Sequence, residues 1–149
     1  MNHLELTKTV ADHQENVTAA QTHTMVIDRL GFDHVSLDIG QEAWGNAGYT
    51  SQAAYATLKL SHSNDNVSYD DITAFVGGGT GGFTLPTPTS TTDDLLVRMD
   101  IDCRASRRYL KVTATPYTTG TIYTVARLSK ADVGPATASE KGVKTAVAG

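Results

Sequence analysis

The sequence predicts an all-β protein: a single antiparallel β-sandwich, jelly-roll-like, with extended N- and C-terminal arms. Several segments alternate apolar and polar residues with a period of two, turn-forming residues separate them, and none shows a convincing helical period. The length of 149 residues fits one domain with a sizeable core. We expect about seven or eight strands within residues 24–129, a flexible arm over residues 1–23 and a tail over residues 130–149.

The clearest strand signal lies in residues 107–116. Leu110, Val112 and Ala114 share one face, and Pro116 ends the pattern because it cannot donate a ladder hydrogen bond. Similar alternation is found in residues 24–28, 34–40, 53–62, 69–76, 95–103 and 121–128. Because the gap after Pro116 is short, we expect the last strand to form an antiparallel hairpin with strand 107–116.

Both ends of the chain lack a regular pattern. Residues 1–23 are polar, rich in Thr, His, Gln and Asn, and carry isolated apolar residues that fit neither the helix nor the strand period. Such a segment is either a flexible lead-in or an arm that becomes ordered on a partner and uses its apolar residues as anchors. Residues 130–149 are mostly Ala, Gly, Lys, Thr and Val, and they lack the apolar mass to fold alone.

The composition argues against several classes of function. A net charge of −4 disfavours a general nucleic-acid-binding protein, which needs a basic face. No run approaches the roughly 18 apolar residues of a membrane helix, so we expect no membrane partner. Cys103 is the only cysteine, which leaves no internal disulfide or cysteine-built zinc site and indicates synthesis in a reducing compartment.

No pattern in the sequence is typical of catalysis or metal binding, and we expect no catalytic, cofactor-binding or metal-ligating residue. The glycine run at residues 77–82 lacks the Lys-Ser or Lys-Thr pair of a phosphate-binding loop, so a flexible connection between strands explains it better. The five histidines include no pair at helical metal-ligand spacing. Segments 64–66 and 69–71 hold oxygen ligands of the kind that calcium prefers, but their short polar side chains are also typical of turns.

Asp100 and Asp102 form a pair of carboxylates on the polar face of one predicted strand. Such a pair can act in acid–base catalysis where a cleft separates the two pKa values. Surface ion pairs are the simpler explanation, because four arginines stand close by in the sequence: Arg98, Arg104, Arg107 and Arg108. We therefore expect a protein that is not an enzyme and needs no cofactor.

Three segments together resemble a known group of proteins. They are Ile27-Asp28 with Gly31-Phe32-Asp33-His34-Val35, Leu58-Lys59-Leu60-Ser61-His62-Ser63-Asn64-Asp65-Asn66 with Tyr69-Asp70-Asp71-Ile72, and Arg107-Arg108-Tyr109-Leu110-Lys111-Val112. In this order, over residues 24–129, they are similar to the capsid decoration or cement proteins encoded in the head modules of tailed bacteriophages. The resemblance implies a small β-sandwich or jelly roll that binds the outside of a phage capsid and stabilises contacts between major capsid subunits.

The resemblance also implies a location and partners. The partner is the major capsid protein, and the protein is a structural component of the virion, on the capsid exterior after synthesis in the host cytoplasm. We expect a homo-oligomer, a dimer first and a trimer second, because closed two-fold pairing is the commonest symmetric assembly. The candidate interface residues are apolar residues of the arms, the only tryptophan and three arginines: Leu4, Leu6, Val10, Val143, Trp44, Arg104, Arg107 and Arg108.

Two alternatives remain open. A carbohydrate- or receptor-binding β-sandwich on a phage head or tail fibre would use an aromatic platform of Trp44, Tyr49 and Tyr55 for stacking. A small hydrolase built on a jelly roll would use Asp100 or Asp102. Specific glycan binding would favour the first alternative, and a detectable hydrolytic activity would favour the second.

Overall fold

The computed structural model describes residues 7–19, 21–42, 53–90, 95–131 and 139–145, which form an all-β domain. The strands are β1 Lys8–Val17, β2 His23–Asp28, β3 Phe32–Gln41, β4 Tyr55–Ser63, β5 Asp70–Val76, β6 Leu95–Asp102, β7 Tyr109–Pro116 and β8 Gly120–Ala131. A short 3-10 helix, Cys103–Ala105, lies between β6 and β7. The described residues include no helical segment with the length and hydrophobicity of a membrane span.

The strands form two four-stranded antiparallel sheets. Sheet A has the order β1-β8-β3-β6, and sheet B has the order β2-β7-β4-β5. The chain passes between the sheets at every connection except that from β4 to β5, which pair with each other. This is the strand order of a jelly roll, a double-sheet arrangement of two Greek keys. The predicted fold class, a single antiparallel β-sandwich, is confirmed.

The predicted hairpin between β7 and β8 is wrong. β7 pairs with β2 and β4 in sheet B, whereas β8 pairs with β1 and β3 in sheet A. Residues 117–119 therefore carry the chain across the core from one sheet to the other. A short gap between two strands is compatible with either route, because alternation assigns the faces of a strand and not its neighbours.

The core lies between the two sheets, where the predicted rows of alternating residues meet. Val35, Leu37 and Ile39 of β3 face inward from sheet A, and Leu110 and Val112 of β7 face inward from sheet B. Other fully or almost fully buried residues are Ile27, Leu58, Leu60, Ile101, Ile122, Ala126 and Leu128. Burying a Val, Leu or Ile side chain contributes about 1.5–3 kcal/mol relative to exposure, so these rows are the main stabilising term.

The N-terminal part of the chain differs from the predicted flexible arm. Residues 8–17 form the edge strand β1, which runs antiparallel to β8 from the Lys8–Leu128 pair to the Val17–Gly120 pair. Val17 is fully buried, whereas residues 11–16 are exposed. An edge strand that is exposed over most of its length has no need of alternation, which is why its sequence gave no strand signal.

Part of the predicted C-terminal tail also lies against sheet A. β8 continues to Ala131, and the amide of Thr9 in β1 donates a hydrogen bond of 2.6 Å to the carbonyl oxygen of Lys141. Gly142 follows at a φ of +71°, and a Cβ on it would lie 1.7 Å from the carbonyl oxygen of Thr9. Glycine is required by both this left-handed backbone and this close approach.

The start of β4 departs from the strict alternation predicted for residues 53–62. The register of its pairing with β7 shifts between Tyr55 and Thr57. As a result Tyr55 is buried, with 1% of its surface exposed, whereas Ala56 is exposed. The irregularity reverses the predicted faces of these two residues, whereas Leu58 and Leu60 are buried as predicted.

Candidate functional site at the charged end of the sandwich

Charged side chains gather where β2, β4 and β6 finish and where β3, β5 and β7 begin. Asp28 lies opposite Tyr109 there, and His62 lies opposite Asp70. We call this region the charged end and define it by Asp28, Arg29, Asp70, Asp102, Arg104, Arg107 and Arg108. Three of the predicted interface residues, the arginines at 104, 107 and 108, are among them.

Arg108 and Asp28 join the start of β7 to the end of β2. The Nε and Nη2 atoms of Arg108 donate hydrogen bonds of 3.0 and 2.7 Å to the two carboxylate oxygens of Asp28. These hydrogen bonds lower the pKa of Asp28 from its ordinary value. The guanidinium carbon of Arg108 also lies 4.8 Å from the ring centroid of Tyr109. The bidentate geometry therefore fixes the orientation of an otherwise mobile side chain.

Arg29 holds the segment that leads from the 3-10 helix into β7. Its Nε donates to the carbonyl oxygen of Arg107 at 3.1 Å, and its Nη2 donates to that of Ser106 at 2.5 Å. Its backbone amide donates to the carbonyl oxygen of Arg108 at 3.1 Å. The sequence interpretation missed this role, because nothing local marks a turn arginine whose acceptors lie almost 80 residues away.

Arg107 connects the same segment to the hairpin of β4 and β5. Its Nη1 lies 2.5 Å from Oδ2 of Asp70, and its backbone amide donates to Nδ1 of His62 at 3.4 Å. Together with the Arg108–Asp28 pair, these contacts bring residues 27–35, 58–72 and 107–112 to one end of the molecule. The three segments that carry the family resemblance are thus neighbours in space.

Arg104 and Asp102 form the third ion pair of the charged end. Oδ1 of Asp102 accepts hydrogen bonds from the Arg104 amide at 3.1 Å and from its Nε at 2.9 Å, and Oδ2 accepts from its Nη2 at 2.5 Å. These bonds lower the pKa of Asp102, and the bond to the amide caps the 3-10 helix. A shallow cleft of about 100 Å³ beside the pair is lined by Asp33, His34, Asp102, Arg104 and Lys130.

The three pairs are exposed, which limits what they contribute to folding. The side chain of Arg104 is 72% exposed, that of Arg108 is 44% exposed and that of Arg107 is 39% exposed. Exposed ion pairs contribute little to stability because water screens them and their side chains lose entropy. Held in fixed orientations, however, the guanidinium groups present donors to a partner, and Arg is enriched among the residues that dominate interface energies.

The other predicted interface residues lie elsewhere or outside the described residues. Val10 is a half-buried residue of β1 that packs against the core. Val143 is half-buried in the segment 139–145, next to the residues that contact Thr9. The structure therefore brings Val10 and Val143 to the β1 side of sheet A. Leu4, Leu6 and Trp44 lie outside the described residues.

The residues considered for catalysis or metal binding lie in surroundings typical of structural residues. Cys103 is buried, and burial raises the pKa of its thiol to about 11, which keeps it protonated and a poor nucleophile at neutral pH. Asp100 and Asp102 lie on the exposed face of β6, and Arg104 engages the second of them. In the part of the chain that the structure describes, no group of three or more His, Cys, Asp or Glu residues could hold a metal ion.

The polar loop between β4 and β5 and the glycine-rich loop after β5 are both hydrogen-bonded turns. Oδ1 of Asp65 accepts from the hydroxyl of Ser63 and from the amides of Val67 and Ser68, and these bonds lower the pKa of Asp65 to about 2. In the glycine run, the amide of Gly78 donates to the carbonyl oxygen of Phe83 at 2.8 Å. The run is therefore a defined turn that returns the chain toward β5, where a flexible connection was predicted.

A shallow basin on the outer face of sheet B was not predicted. Its volume is about 290 Å³, and its lining includes Lys59, Tyr69, Asp71 and Lys111. Nζ of Lys59 lies 2.8 Å from Asp71, and Nζ of Lys111 lies 3.8 Å from the ring centroid of Tyr69, as in a cation–π contact. The sequence placed Lys59 and Lys111 on polar strand faces, but alternation alone does not show that two strands form one basin.

Tyr55 cannot belong to the aromatic platform that the carbohydrate-binding alternative requires. Tyr55 is buried, its hydroxyl finds no hydrogen-bond partner among the described residues, and burial raises the pKa of that hydroxyl. The ring of Tyr55 is thus unavailable for stacking against a ligand at the surface. Trp44 and Tyr49, its other proposed members, lie outside the described residues.

Comparisons with known proteins reveal no family. No protein-family model matches the sequence, and no curated protein matches it. One solved structure, described as Bacillus endospore appendages that form a novel family of disulfide-linked pili, has a chain with 12% sequence identity and a TM-score of 0.33. That match covers 83% of this chain and 87% of the other.

Proposed function

We propose that this protein is a structural virion protein that binds the outside of a tailed-phage capsid and stabilises contacts between major capsid subunits. The observation that carries the proposal is the meeting of the three resembling segments at the charged end. Arg108 reaches Asp28 there, and Arg107 reaches Asp70. The segments therefore support the resemblance as one structural unit and not only as three separate strand and turn patterns.

The charged end suits binding to a protein shell. Each guanidinium carries five N–H donors in a fixed plane, and the internal ion pairs use only some of them. Carboxylates or carbonyl groups of the major capsid protein would accept from the donors that remain. Covering the pairs would also remove them from water, which strengthens charge-assisted hydrogen bonds at the centre of an interface. This role requires a rigid body and no catalytic step.

Attachment at several points would make weak contacts sufficient. A shell offers the same site on many neighbouring subunits, so a protein that touches two of them gains from a high effective concentration at the second contact. Leu4, Leu6 and Trp44 remain proposed apolar anchors for such additional contacts. Val10 and Val143 are less suited, since Val10 packs against the core and Val143 is half-buried.

Reassociation with undecorated capsids tests the proposal. Purified protein is mixed with phage heads that lack it, and the bound fraction is measured after the heads are pelleted. We expect saturable binding, and we expect the affinity for heads to fall at least about tenfold when Arg104, Arg107 and Arg108 are all replaced by alanine. The reason is that hot-spot residues of this kind each contribute more than a tenfold factor in affinity. Thermal melting verifies that the triple variant still folds.

Arg127 provides a matched control for the reassociation experiment. It is an exposed arginine of β8 that is not among the residues that define the charged end. Arg127→Ala is expected to bind heads as the unaltered protein does. The proposal is contradicted by a protein that does not bind heads at all, and the role of the charged end is contradicted by equal binding of the triple and control variants.

Carbohydrate or receptor binding on a phage head or tail fibre is a second candidate, and the basin on sheet B favours it. The basin combines an aromatic ring, an ammonium group and a carboxylate at Tyr69, Lys111 and Asp71, which are groups that can stack on and hydrogen-bond to a sugar. A glycan array tests this candidate. Specific binding that Lys111→Ala abolishes would favour it, and an array without signal would exclude it for the glycans present.

A further inference from the structure

The edge of sheet A at β6 is open in the described part of the chain. At the opposite edge, β1 is contacted by the segment 139–145 through the Thr9–Lys141 hydrogen bond. β6 pairs with β3 and with no other described strand, so Leu95–Asp102 presents a second row of backbone donors and acceptors. Proteins usually cover, shorten or charge such an edge, because an unpaired edge is a template for another strand.

The outer face of β6 has charges that are only partly satisfied within the chain. Nε and Nη2 of Arg98 donate to the carboxylate of Asp38 on β3 at 2.7 and 2.9 Å, which leaves the donors of Nη1 for another acceptor. Asp102 is engaged by Arg104. Asp100 is exposed and forms no ion pair with any residue that the structure describes. One strand thus presents both an unused guanidinium donor and a carboxylate without an ion pair, two residues apart.

We infer that two copies of this protein pair through β6 as an antiparallel two-fold dimer, with Arg98 of each copy opposite Asp100 of the other. The two-fold axis passes beside Met99, which lies opposite Met99 of the second copy. This pairing joins the two copies of sheet A into one continuous eight-stranded sheet. Arg98 then lies between Asp38 of its own chain and Asp100 of the second copy.

The strand faces and the charges select this register. Directly opposed residues must point to the same side of a sheet, so a slip of one residue would place inward residues opposite outward ones. A slip of two residues in one direction places Arg98 opposite Arg98, and a slip of two in the other places Asp100 opposite Asp100. Like charges directly opposite each other are destabilising. The register with Met99 on the axis avoids both conflicts.

The inward face of β6 fits the same register. Val97 of one copy lies opposite Ile101 of the other, and Met99 lies opposite Met99, so every opposed inward pair is apolar. Val97 is half-buried in the single chain and packs against the core, whereas Met99 and Ile101 are buried. The neighbouring strand of a second copy would cover the part of Val97 that is still exposed. The register therefore pairs opposite charges at Arg98 and Asp100 on the outer face and apolar residues on the inward face.

The predicted dimer is weak and sensitive to salt. A single strand pair gives a small interface, at the low end of specific complexes, where dissociation constants are on the order of micromolar. The Arg98–Asp100 pairs lie at the surface, where dissolved ions screen them. The inference does not depend on capsid binding, because it concerns the purified protein. In the dimer the two charged ends point in opposite directions along β6, which would suit a bridge between two capsid subunits.

Sedimentation equilibrium over a range of protein concentrations tests the dimer. We expect a monomer–dimer equilibrium whose dissociation constant rises at least about tenfold in Asp100→Lys, because two attractive cross-strand pairs become repulsive. Asp33→Lys is the matched control, since Asp33 is an exposed aspartate that lies outside β6, and it should leave the constant unchanged. The inference is overturned if the protein stays monomeric or forms trimers. It is also overturned if the Asp100→Lys variant dimerises as strongly as the unaltered protein.

A charge exchange between two variants makes the test independent of single-variant folding defects. Arg98→Asp alone places two aspartates opposite each other and should dimerise more weakly than the unaltered protein, as should Asp100→Lys alone. When mixed, the two variants restore an attractive pair at both positions and should form a heterodimer. Absence of the heterodimer, with both variants folded by circular dichroism, contradicts the proposed register.

Spin labels report the register directly. A label on Leu96→Cys, in a chain with the buried Cys103 replaced by alanine, would sit opposite Asp102 of the second copy. The two labelled backbones are then six residues apart along the paired strands, which is roughly 20 Å. A slip of two residues changes this separation by roughly 7 Å. A pulsed electron paramagnetic resonance distance that fits either slipped register overturns the assignment.

Discussion

Arg108, which directly precedes β7, donates two hydrogen bonds to the carboxylate of Asp28, which ends β2 80 residues earlier in the chain. The pair fastens two strands that are neighbours in sheet B at the end where the proposed capsid-binding arginines gather. It also joins the first and the last of the three segments that carry the family resemblance. A contact of this kind has consequences for stability that can be measured apart from function.

The first prediction concerns the Asp28–Arg108 pair. A double-mutant cycle with Asp28→Asn and Arg108→Ala should show a small favourable coupling at neutral pH, smaller than the effect of any buried truncation, because both side chains are partly exposed. The arginine lowers the pKa of Asp28, so the coupling is fully present above the unfolded pKa of 3.8. It should disappear as the pH falls through the lower folded pKa; a coupling that persists in acid would contradict a charge-assisted pair.

The second prediction concerns the core. Leu110 is fully buried between the sheets, so Leu110→Ala should lower the free energy of unfolding by about 2–5 kcal/mol. Leu30 is 64% exposed in the turn between β2 and β3, and Leu30→Ala should change the free energy of unfolding by no more than about 0.5 kcal/mol. Urea denaturation measures both values. Similar losses in the two variants would mean that the sheets do not pack through Leu110.

The third prediction concerns pH and His23. This side chain is 1% exposed, and its Nε2 lies 3.1 Å from the hydroxyl of Thr124. Burial lowers the pKa of His23 below its ordinary 6.5, although nearby Asp12 opposes the shift. The unfolded chain therefore binds the proton first as the pH falls, and stability should decline below pH 6.5 by at most about 1.4 kcal/mol per pH unit.

His23→Gln is the comparison for the pH experiment, since glutamine keeps a polar side chain and does not titrate. Urea denaturation between pH 7.5 and pH 5 gives the free energy of unfolding at each pH. Its slope against pH should be smaller in this variant than in the unaltered protein. Asp28 and Asp102, whose pKa values are lowered by their arginine partners, stay ionised throughout this window and do not interfere. Equal slopes in the two proteins would mean that His23 protonates equally in the folded and unfolded states.

The fourth prediction concerns the segment 139–145. A Cβ at position 142 would lie 1.7 Å from the carbonyl oxygen of Thr9, and the φ of +71° is unfavourable for alanine. Gly142→Ala should therefore release this segment from β1 without unfolding the sandwich. Hydrogen exchange at the amide of Thr9, which donates to Lys141, should become faster. Unchanged exchange at Thr9 would contradict the contact, and Thr145→Ala serves as a control within the segment.

The sequence was sufficient for the fold class and for most strand faces. The rows through Leu37 and Leu110 alternate because each strand has one buried face, and that pattern is visible without knowing the partner strand. The order of strands in the sheets was not visible, since a jelly roll pairs strands that are distant in sequence. The predicted β7–β8 hairpin failed for this reason.

Local irregularities account for the other differences. A shifted register after Tyr55 turned its ring inward, and no composition signal marks such a shift. β1 escaped notice because an edge strand that is largely exposed does not alternate. At the charged end, the arginines at 104, 107 and 108 were identified as candidates, but Arg29 was missed because its acceptors are backbone carbonyls of a remote segment.

Quantitative mass spectrometry and imaging of purified mature phage particles test the proposed capsid role most directly. A cement role predicts this protein in a fixed ratio to the major capsid protein, with its density on the outer surface of the shell and the charged end in contact with capsid subunits. Mature heads that contain no copies of the protein would contradict the role.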